Sequence, residues 1–287
     1  MDLLAQIVVN GILQGGLYAV MALGMALVWG VLNIVNLAHG AFIMLGGYLS
    51  WCLFTYLNID PFLGLPLTFI FMFVLGYAVQ RGLLNLVIRA SMFNTLLITF
   101  GLQVVLTYLA QLVFSADFRT INPSYAGDSV AAGPVVLPEA RLAVFCVAIV
   151  LTVGMWQFLL HTRLGRAIRA TAQNLTAARL YGVEPRHLYA MTYGLGIALA
   201  GAAGTLYGIV SQIHPYIGAS LTAKSFAISI IGGLDNPLGV LVGGLFLGIV
   251  EALTTVYIGQ TYADVASFGI LVLVLIVRPR GLLGRAK

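Results

Sequence analysis

Charged side chains are scarce in this sequence. They make up 8% of the 287 residues, against about 25% in an ordinary soluble domain. Apolar residues reach 61%, more than a soluble core of this length can bury. A bilayer span needs about 20 mostly apolar residues, and several such runs occur. The composition therefore excludes a soluble domain and predicts a multi-pass membrane protein.

Cysteine and the signatures of catalytic or metal sites are also scarce. Cys52 and Cys146 lie in or beside apolar runs, without the spacing of a metal or redox motif, so we interpret them as packing residues. No His-Glu-x-x-His motif occurs, and no set of nucleophile, base and orienting group can be assembled. The sequence therefore predicts a chain that is not an enzyme and carries neither a metal nor a cofactor.

The apolar runs predict one α-helical membrane domain over residues 1–287. The first residues, Met1 to Gln6, contain Asp2 and no basic residue, so they do not resemble a cleaved signal and the first run is expected to persist as a span. The runs fall at roughly residues 3–29, 36–57, 62–80, 92–114, 142–160, 188–212, 225–258 and 265–277.

Basic residues form three clusters at the ends of these runs. The clusters are Arg81 with Arg89; Arg163, Arg166, Arg169, Arg179 and Arg186; and Arg278, Arg280, Arg285 and Lys287. Clusters of this kind set membrane topology, and they do not indicate nucleic-acid binding. All three, including the C-terminus, are therefore expected in the cytoplasm, with the turn-rich loop 115–141 and the N-terminus outside.

This sidedness conflicts with the number of runs between Arg186 and Arg278. Both residues are expected in the cytoplasm, yet three runs separate them. The run 225–258 contains Gly232-Gly233-Leu234-Asp235-Asn236-Pro237, where glycine and proline interrupt a helix. We therefore predict a re-entrant pair of half-helices or a tight helical hairpin there. The fold is then an all-α bundle with seven full crossings plus the re-entrant pair, or with nine crossings.

A second break is predicted at Asn33 to Gly40, where polar residues interrupt an apolar stretch. Broken helices at membrane depth line cavities and binding sites, although this segment could instead be a short cytoplasmic turn. The candidate pathway residues are Asn33, Asn36, His39, Gly40, Gly232, Gly233, Asp235, Asn236 and Glu251.

Ionisable residues in or near the spans are candidates for function because burying a charge in a bilayer is costly. They are His39, Lys224, Asp235, Glu251 and Asp264. Glu251 could pair with Lys224, in a role that is either structural or in substrate contact. The spacings Gly239-x-x-x-Gly243, Gly244-x-x-x-Gly248 and Gly204-x-x-x-Gly208 favour close helix packing, within the chain or between subunits.

Residues 162–186 form the longest basic segment and predict an amphipathic helix that continues to Tyr181. Arg163, Arg166 and Arg169 line one face, and Gly182 is placed to end the helix. Such a helix could lie on anionic lipid or dock onto a soluble partner.

The run Thr176-Ala177-Ala178-Arg179-Leu180-Tyr181-Gly182 resembles the E-A-A-x-x-x-G loop through which permeases of ABC importers contact their ATPase, with Thr176 in place of the glutamate. The chain as a whole resembles the shorter subunit of the branched-chain (hydrophobic) amino-acid ABC permease family. The resembling stretches are Asn10 to Gly47, Thr162 to Gly204, Ile231 to Glu251 and Arg278 to Leu283.

The resemblance implies a permease subunit in a bacterial inner membrane. A second permease, two cytoplasmic ATPases and a periplasmic binding protein would complete the importer, and Arg163, Arg166, Arg169, Ala177, Ala178 and Gly182 would couple it to ATP hydrolysis. The resemblance favours branched-chain or other hydrophobic amino acids as substrates, and the residues do not separate leucine-like solutes from amides or urea. The residues themselves also allow an ion-coupled transporter or channel that works alone, or, more remotely, an intramembrane enzyme.

A near match to a nucleotide loop, Gly218 to Ser225, has Ala223 in place of the second glycine, so ATP hydrolysis is expected on a separate subunit.

Overall fold

The computed structural model describes residues 2–87, 92–132, 135–233, 236–278 and 281–283. Its helices are α1 (Asp2–Leu32), α2 (His39–Leu57), α3 (Pro61–Val79), α4 (Met92–Phe114), α5 (Glu139–His161), α6 (Arg163–Gln173), α7 (Leu175–Leu180), α8 (Pro185–Val210), α9 (Ile217–Gly232), α10 (Pro237–Tyr257) and α11 (Ala263–Val277). A π-helical turn, Gln80–Leu84, and a short turn, Asn85–Val87, extend α3. Strands β1 (Ser129–Ala132) and β2 (Val135–Pro138) form an antiparallel hairpin.

The predicted all-α membrane fold is confirmed. Among the described residues, eight helices are long and apolar enough to cross a membrane, and α9 is a shorter apolar helix. Several helices begin where the sequence provides a cap: the Asp60 carboxylate accepts the Phe62 amide at 2.9 Å, and the Asn236 side chain accepts the Leu238 amide at 3.1 Å. In both cases proline occupies the next position, where its missing N–H costs nothing.

The start of α1 and two links of the chain meet at one end of the bundle, which we call the loop end because the described residues between α4 and α5 lie there. The contacts are hydrogen bonds between Gln6 and Val136, between Asp60 and Tyr125, and between the backbones of Arg119 and Ile213. Burial and the hydrogen bond to the Asp60 carboxylate raise the pKa of the Tyr125 phenol, which therefore remains a neutral donor. The start of α1, the α2–α3 link and the α8–α9 link all lie at the loop end.

The opposite end carries the arginine-rich segment 162–186, and we call it the basic end. Asn85, after α3, donates to the Arg186 carbonyl at 3.2 Å, and Tyr77 contacts His187 at 3.1 Å. The amide of Leu282 donates to the Ile231 carbonyl at 2.7 Å. Helix α9 runs parallel to α1 and away from the loop end, with Lys224 beside Tyr18 and Ser229 bonded to Ala22. The Leu282 bond therefore joins the end of α9 and the residues after α11 on the side of the basic end.

The run from 225 to 258 breaks where the sequence predicts, into two antiparallel helices that pack side by side. Helix α9 has 16 residues, about 24 Å at 1.5 Å per residue, and α10 returns toward the loop end. Within the described part of the chain, nine helices therefore run along the bundle: the eight candidate spans and the shorter α9. The start of α9 was predicted too late, because Ser220, Thr222 and Lys224 lower the hydropathy of its first turns while facing protein or a cavity.

Glycines let α1 lie directly against α10. A Cβ added at Gly15 would come within 2.6 Å of the Leu245 Cα, and one added at Gly11 within 2.7 Å of the Ile249 Cα. Gly244 and Gly248 face α1 in the same way, while Gly243 packs on Gly232 of α9. The glycine spacing serves packing within the chain, which was one of its two interpretations. Helices α1 and α8 are the most buried of the spans, and α4 and α11 are largely exposed.

Candidate functional site

The link between α1 and α2 is irregular backbone inside the protein. Asn33 adopts a left-handed conformation with φ of 53°, and Ile34, Asn36 and Ala38 are buried. The Val35 carbonyl accepts a hydrogen bond from Thr99 of α4 at 3.1 Å, about two helical turns from its start. This position favours a broken segment at membrane depth over a short surface turn.

Thr222 of α9 holds this break in place. Its hydroxyl accepts the Gly40 amide at 2.8 Å. The one hydroxyl proton lies between the Leu37 carbonyl at 3.1 Å and the Gly218 carbonyl of its own helix at 2.9 Å. One side chain thus contacts both a carbonyl before α2 and an amide in its first turn, neither of which has a helical partner there.

Replacing Thr222 with valine should therefore destabilise the protein by about 1–3 kcal/mol, since both backbone groups stay buried without their partner. Thr152→Val is the matched control, because the Thr152 hydroxyl contacts only the Ala148 carbonyl of its own helix. Thermal unfolding of the purified protein in detergent measures the difference. Equal melting temperatures for the two variants would mean that Thr222 does not hold the break.

Several polar groups gather beside the break. The His39 ring contacts the Met21 carbonyl through Nε2 at 2.8 Å, while Asn36 and Tyr193 are fully buried. Within the described part of the chain, both Asn36 amide atoms, the Tyr193 hydroxyl and His39 Nδ1 make no hydrogen bond. The break thus combines irregular backbone with unsatisfied side chains.

The predicted residues of the α9–α10 hairpin lie elsewhere, at the basic end. Gly233 has a φ of +99°, which favours glycine. Gly232 packs against Gly239, and Asn236 caps α10. Asp235 lies outside the described residues. The structure gives these glycines and Asn236 turn and capping positions, so the eight candidate pathway residues that it describes lie in more than one place.

Glu251 belongs to a third place, a cavity of about 660 Å³ near the loop end. The cavity lies among α1, α8, α9, α10 and α11, and Arg141 from the start of α5 also lines it. It falls within the range of about 300–1,000 Å³ that is typical of small-molecule sites.

An ion cluster forms part of the cavity wall. Lys224 Nζ lies 2.5 Å from Glu251 Oε1 and 3.1 Å from Asp264 Oδ1, and it reaches the Tyr18 hydroxyl at 3.4 Å. The side chains of Lys224 and Glu251 are 15% and 13% exposed, whereas Asp264 is 60% exposed. The structure brings together the predicted pair of Lys224 and Glu251. Sequence reasoning missed Tyr18 and Arg141, which no charge pattern links to distant Glu251.

The segment 162–186 contains two helices where one was predicted. Asn174 leaves the helical conformation, with φ of −154°, and its side chain caps α7 by accepting the Ala177 amide at 3.0 Å. An asparagine that can cap a new helix competes with continuation of the old one. Gly182 does end α7, with φ of +83°.

Two of the predicted coupling arginines bind the end of α5. Arg166 donates to the His161 carbonyl at 3.1 Å and Arg169 to the Leu160 carbonyl at 3.3 Å, where a helix end attracts cations. Arg163 is exposed, Ala177 is half-buried and Ala178 is buried. The end of α7 presents an apolar surface, because Leu180 is 85% exposed and Tyr181 is 90% exposed.

The stretch that approximates a nucleotide loop, Gly218 to Ser225, is helical in α9. Gly218 packs against the backbone of Ala41, 3.0 Å from a Cβ added there. Its amides therefore take part in a helix and do not form a phosphate-binding loop between a strand and a helix.

Comparisons with known proteins agree over nearly the whole chain. The family described as branched-chain amino acid transport system, permease component, matches residues 7–275. The chain is 31% identical to the high-affinity branched-chain amino acid transport system permease protein BraD of Pseudomonas aeruginosa, over 98% of this chain and 96% of that protein.

The corresponding protein LivH of Escherichia coli is 31% identical, over 97% of this chain and 94% of its own length. LivM of the same organism, also a permease protein of that system, is 26% identical over 93% of this chain and 68% of its own. No solved structure gives a significant match. The chain therefore belongs to the family of permease components of branched-chain amino acid transport systems.

Proposed function

We propose that the protein is a transmembrane subunit of an ATP-driven importer for branched-chain or other hydrophobic amino acids. The observation that carries the proposal is the full-length similarity to BraD and LivH, which are named as permease proteins of branched-chain amino acid transport. The nine lengthwise helices and the polar cavity within them suit a chain that encloses a pathway.

A second permease chain and separate ATPases complete the proposed assembly. The similarity to both LivH and LivM supports a pair of related permeases. The helical conformation of residues 218–225 supports ATP hydrolysis on another subunit. A periplasmic binding protein would deliver substrate at the loop end, to which the cavity is adjacent.

The proposed orientation has the basic end in the cytoplasm of a bacterial inner membrane. Arg163, Arg166 and Arg169 at that end, and Arg278 at the end of α11, support it, because basic residues flanking spans are retained in the cytoplasm. The loop 115–138 and the N-terminus then lie outside, and the C-terminus lies inside.

Residues 162–186 are the proposed ATPase contact. Leu180 and Tyr181 offer an exposed apolar surface beside the exposed Arg179, a composition typical of a protein interface. Arg166 and Arg169, by binding the last carbonyls of α5, would fix α6 to that span and transmit its movement.

Replacing Gly182 with valine should uncouple transport from ATP hydrolysis while leaving the protein inserted. A β-branched residue is strained at φ of +83°, by about 1–3 kcal/mol, although no atom lies within 4 Å of the position. The strain should therefore distort the end of α7 and spare the bundle. Gly182→Asn is the control, since asparagine tolerates this conformation.

The measurement is leucine transported per ATP hydrolysed in vesicles that contain the complete transporter. The valine variant should transport several-fold less per ATP than the asparagine variant. Equal ratios for both variants would show that the ATPase contact lies elsewhere.

Omission of single components tests the proposed function itself. Cells or vesicles with all components should accumulate labelled leucine, and loss of the ATPase, the second permease or the binding protein should abolish it. An ion-coupled transporter, the alternative that broken helices and a buried Glu251 also allow, would retain uptake when this chain is the only component present.

A further inference from the structure

The cavity near the loop end carries charges of both signs in equal number. Lys224 and Arg141 are its basic residues, and Glu251 and Asp264 are its acidic ones. A site for a lone anion or a lone cation would present an excess of the opposite charge. Basic and acidic side chains at separate points of one cavity fit a zwitterion, because its carboxylate needs a basic partner and its ammonium group an acidic one.

The Lys224 ammonium group is surrounded by three polar partners. It donates to Glu251 and to the Tyr18 hydroxyl, and the Asp264 carboxylate lies 3.1 Å away in an ion pair. A ligand carboxylate that binds Lys224 therefore competes with one of these partners. Asp264, at 3.1 Å and 60% exposed, is the partner that water and ligand reach most easily, since the Glu251 side chain is only 13% exposed.

Resting on the proposed function, we infer that this cavity is an amino-acid site in the permease itself, which opens the pair between Lys224 and Asp264 around the ligand. The α-carboxylate takes the place of Asp264 on Lys224, and the α-ammonium binds the released Asp264 carboxylate. One ion pair is exchanged for two, and no charge is left without a partner.

The remaining charged groups keep the site ready for this exchange. Glu251 stays on Lys224 and holds the ammonium in position. Among the described residues Arg141 makes no ion pair, so it is free to attract a carboxylate at the cavity mouth. Ile7, Leu221 and Val256 provide apolar wall for a branched side chain.

Binding of labelled L-leucine to the purified membrane complex tests this site. The complex contains both permeases and the ATPases, without binding protein and without ATP. L-leucinamide, which lacks the carboxylate, and 4-methylpentanoate, which lacks the ammonium, serve as competitors. Leucine should bind, and unlabelled leucine should displace it at a concentration at least tenfold lower than either analogue.

Variants of this chain assign the binding to the cavity. Asp264→Asn should weaken leucine binding at least tenfold. The double variant Lys224→Met with Glu251→Gln removes both buried charges together, so it should fold, as judged by gel filtration, and should bind no leucine. Asp128→Asn is the matched control, since Asp128 is an exposed carboxylate at the loop end outside the cavity.

Three results would overturn the inference: wild-type complex that binds no leucine, charge variants that bind it as the wild type does, or leucinamide that competes equally well. If one of these results is found while the complete importer still transports leucine, the amino-acid site in the cavity is wrong and the proposed function stands. If the complete importer transports no hydrophobic amino acid, the proposed function fails instead.

Discussion

Gly40→Val is expected to lower the amount of folded protein more than any other proposed substitution. Gly40 lies in the first turn of α2, where a Cβ would come within 2.6 Å of both the amide nitrogen and the hydroxyl of Thr222. The side chain would also push apart the bond from the Gly40 amide to that hydroxyl. Overpacking and the loss of a buried bond together cost about 3 kcal/mol or more, a large part of the roughly 5–15 kcal/mol that stabilises a folded protein.

The matched control for this variant is Gly101→Val. Gly101 lies in α4 with no atom within 4 Å of an added Cβ, and valine has a higher helix propensity than glycine. The yield of monodisperse protein after extraction from membranes measures both variants. Gly40→Val should give little or none and Gly101→Val a normal amount; equal yields would contradict the close packing of α2 on α9.

Lys224→Met should have the second largest effect on stability. It leaves the Glu251 carboxylate, 13% exposed, without the cation 2.5 Å away. Removing one partner of a buried ion pair costs about 3–5 kcal/mol, whereas neutralising both is often tolerated. Adding Glu251→Gln to Lys224→Met should therefore restore most of the lost stability.

Thermal unfolding in detergent measures this coupling as a double-mutant cycle. Glu251→Gln alone completes the cycle, and it should cost less stability than Lys224→Met, because Asp264 remains 3.1 Å from the Lys224 ammonium. If the effects of the two single substitutions simply add in the double variant, the pair does not form in solution.

Hydropathy and charge predicted the arrangement of the spans because each depends on residues that are close in the sequence. The requirement that Arg186 and Arg278 share one side, together with glycine and proline at 232–237, predicts the break between α9 and α10 from the sequence alone. For the segment after Asn33 the sequence leaves a buried break and a short cytoplasmic turn open, and the contacts of Val35 and Asn36 favour the buried break. In each case a local interruption of an apolar run has a direct structural consequence.

The site could be predicted only in part because its contacts join residues far apart in the sequence. Lys224 and Glu251 were recognised as costly charges, but the position of Tyr18 beside them depends on how α1 crosses α9. Arg166 and Arg169 line one face as predicted, yet the helix-end carbonyls they bind depend on the turn at Thr162, where α5 gives way to α6. Periodicity does not encode such geometry.

Uptake of labelled L-leucine by vesicles that contain the complete assembly, with ATP on the ATPase side and binding protein on the other, tests the central claim most directly. The proposed importer should accumulate leucine with ATP, and should stop when ATPase subunits that bind but cannot hydrolyse ATP are substituted. Leucine accumulation that continues with those inactive ATPases, or that this chain alone drives from a sodium or proton gradient, would contradict it.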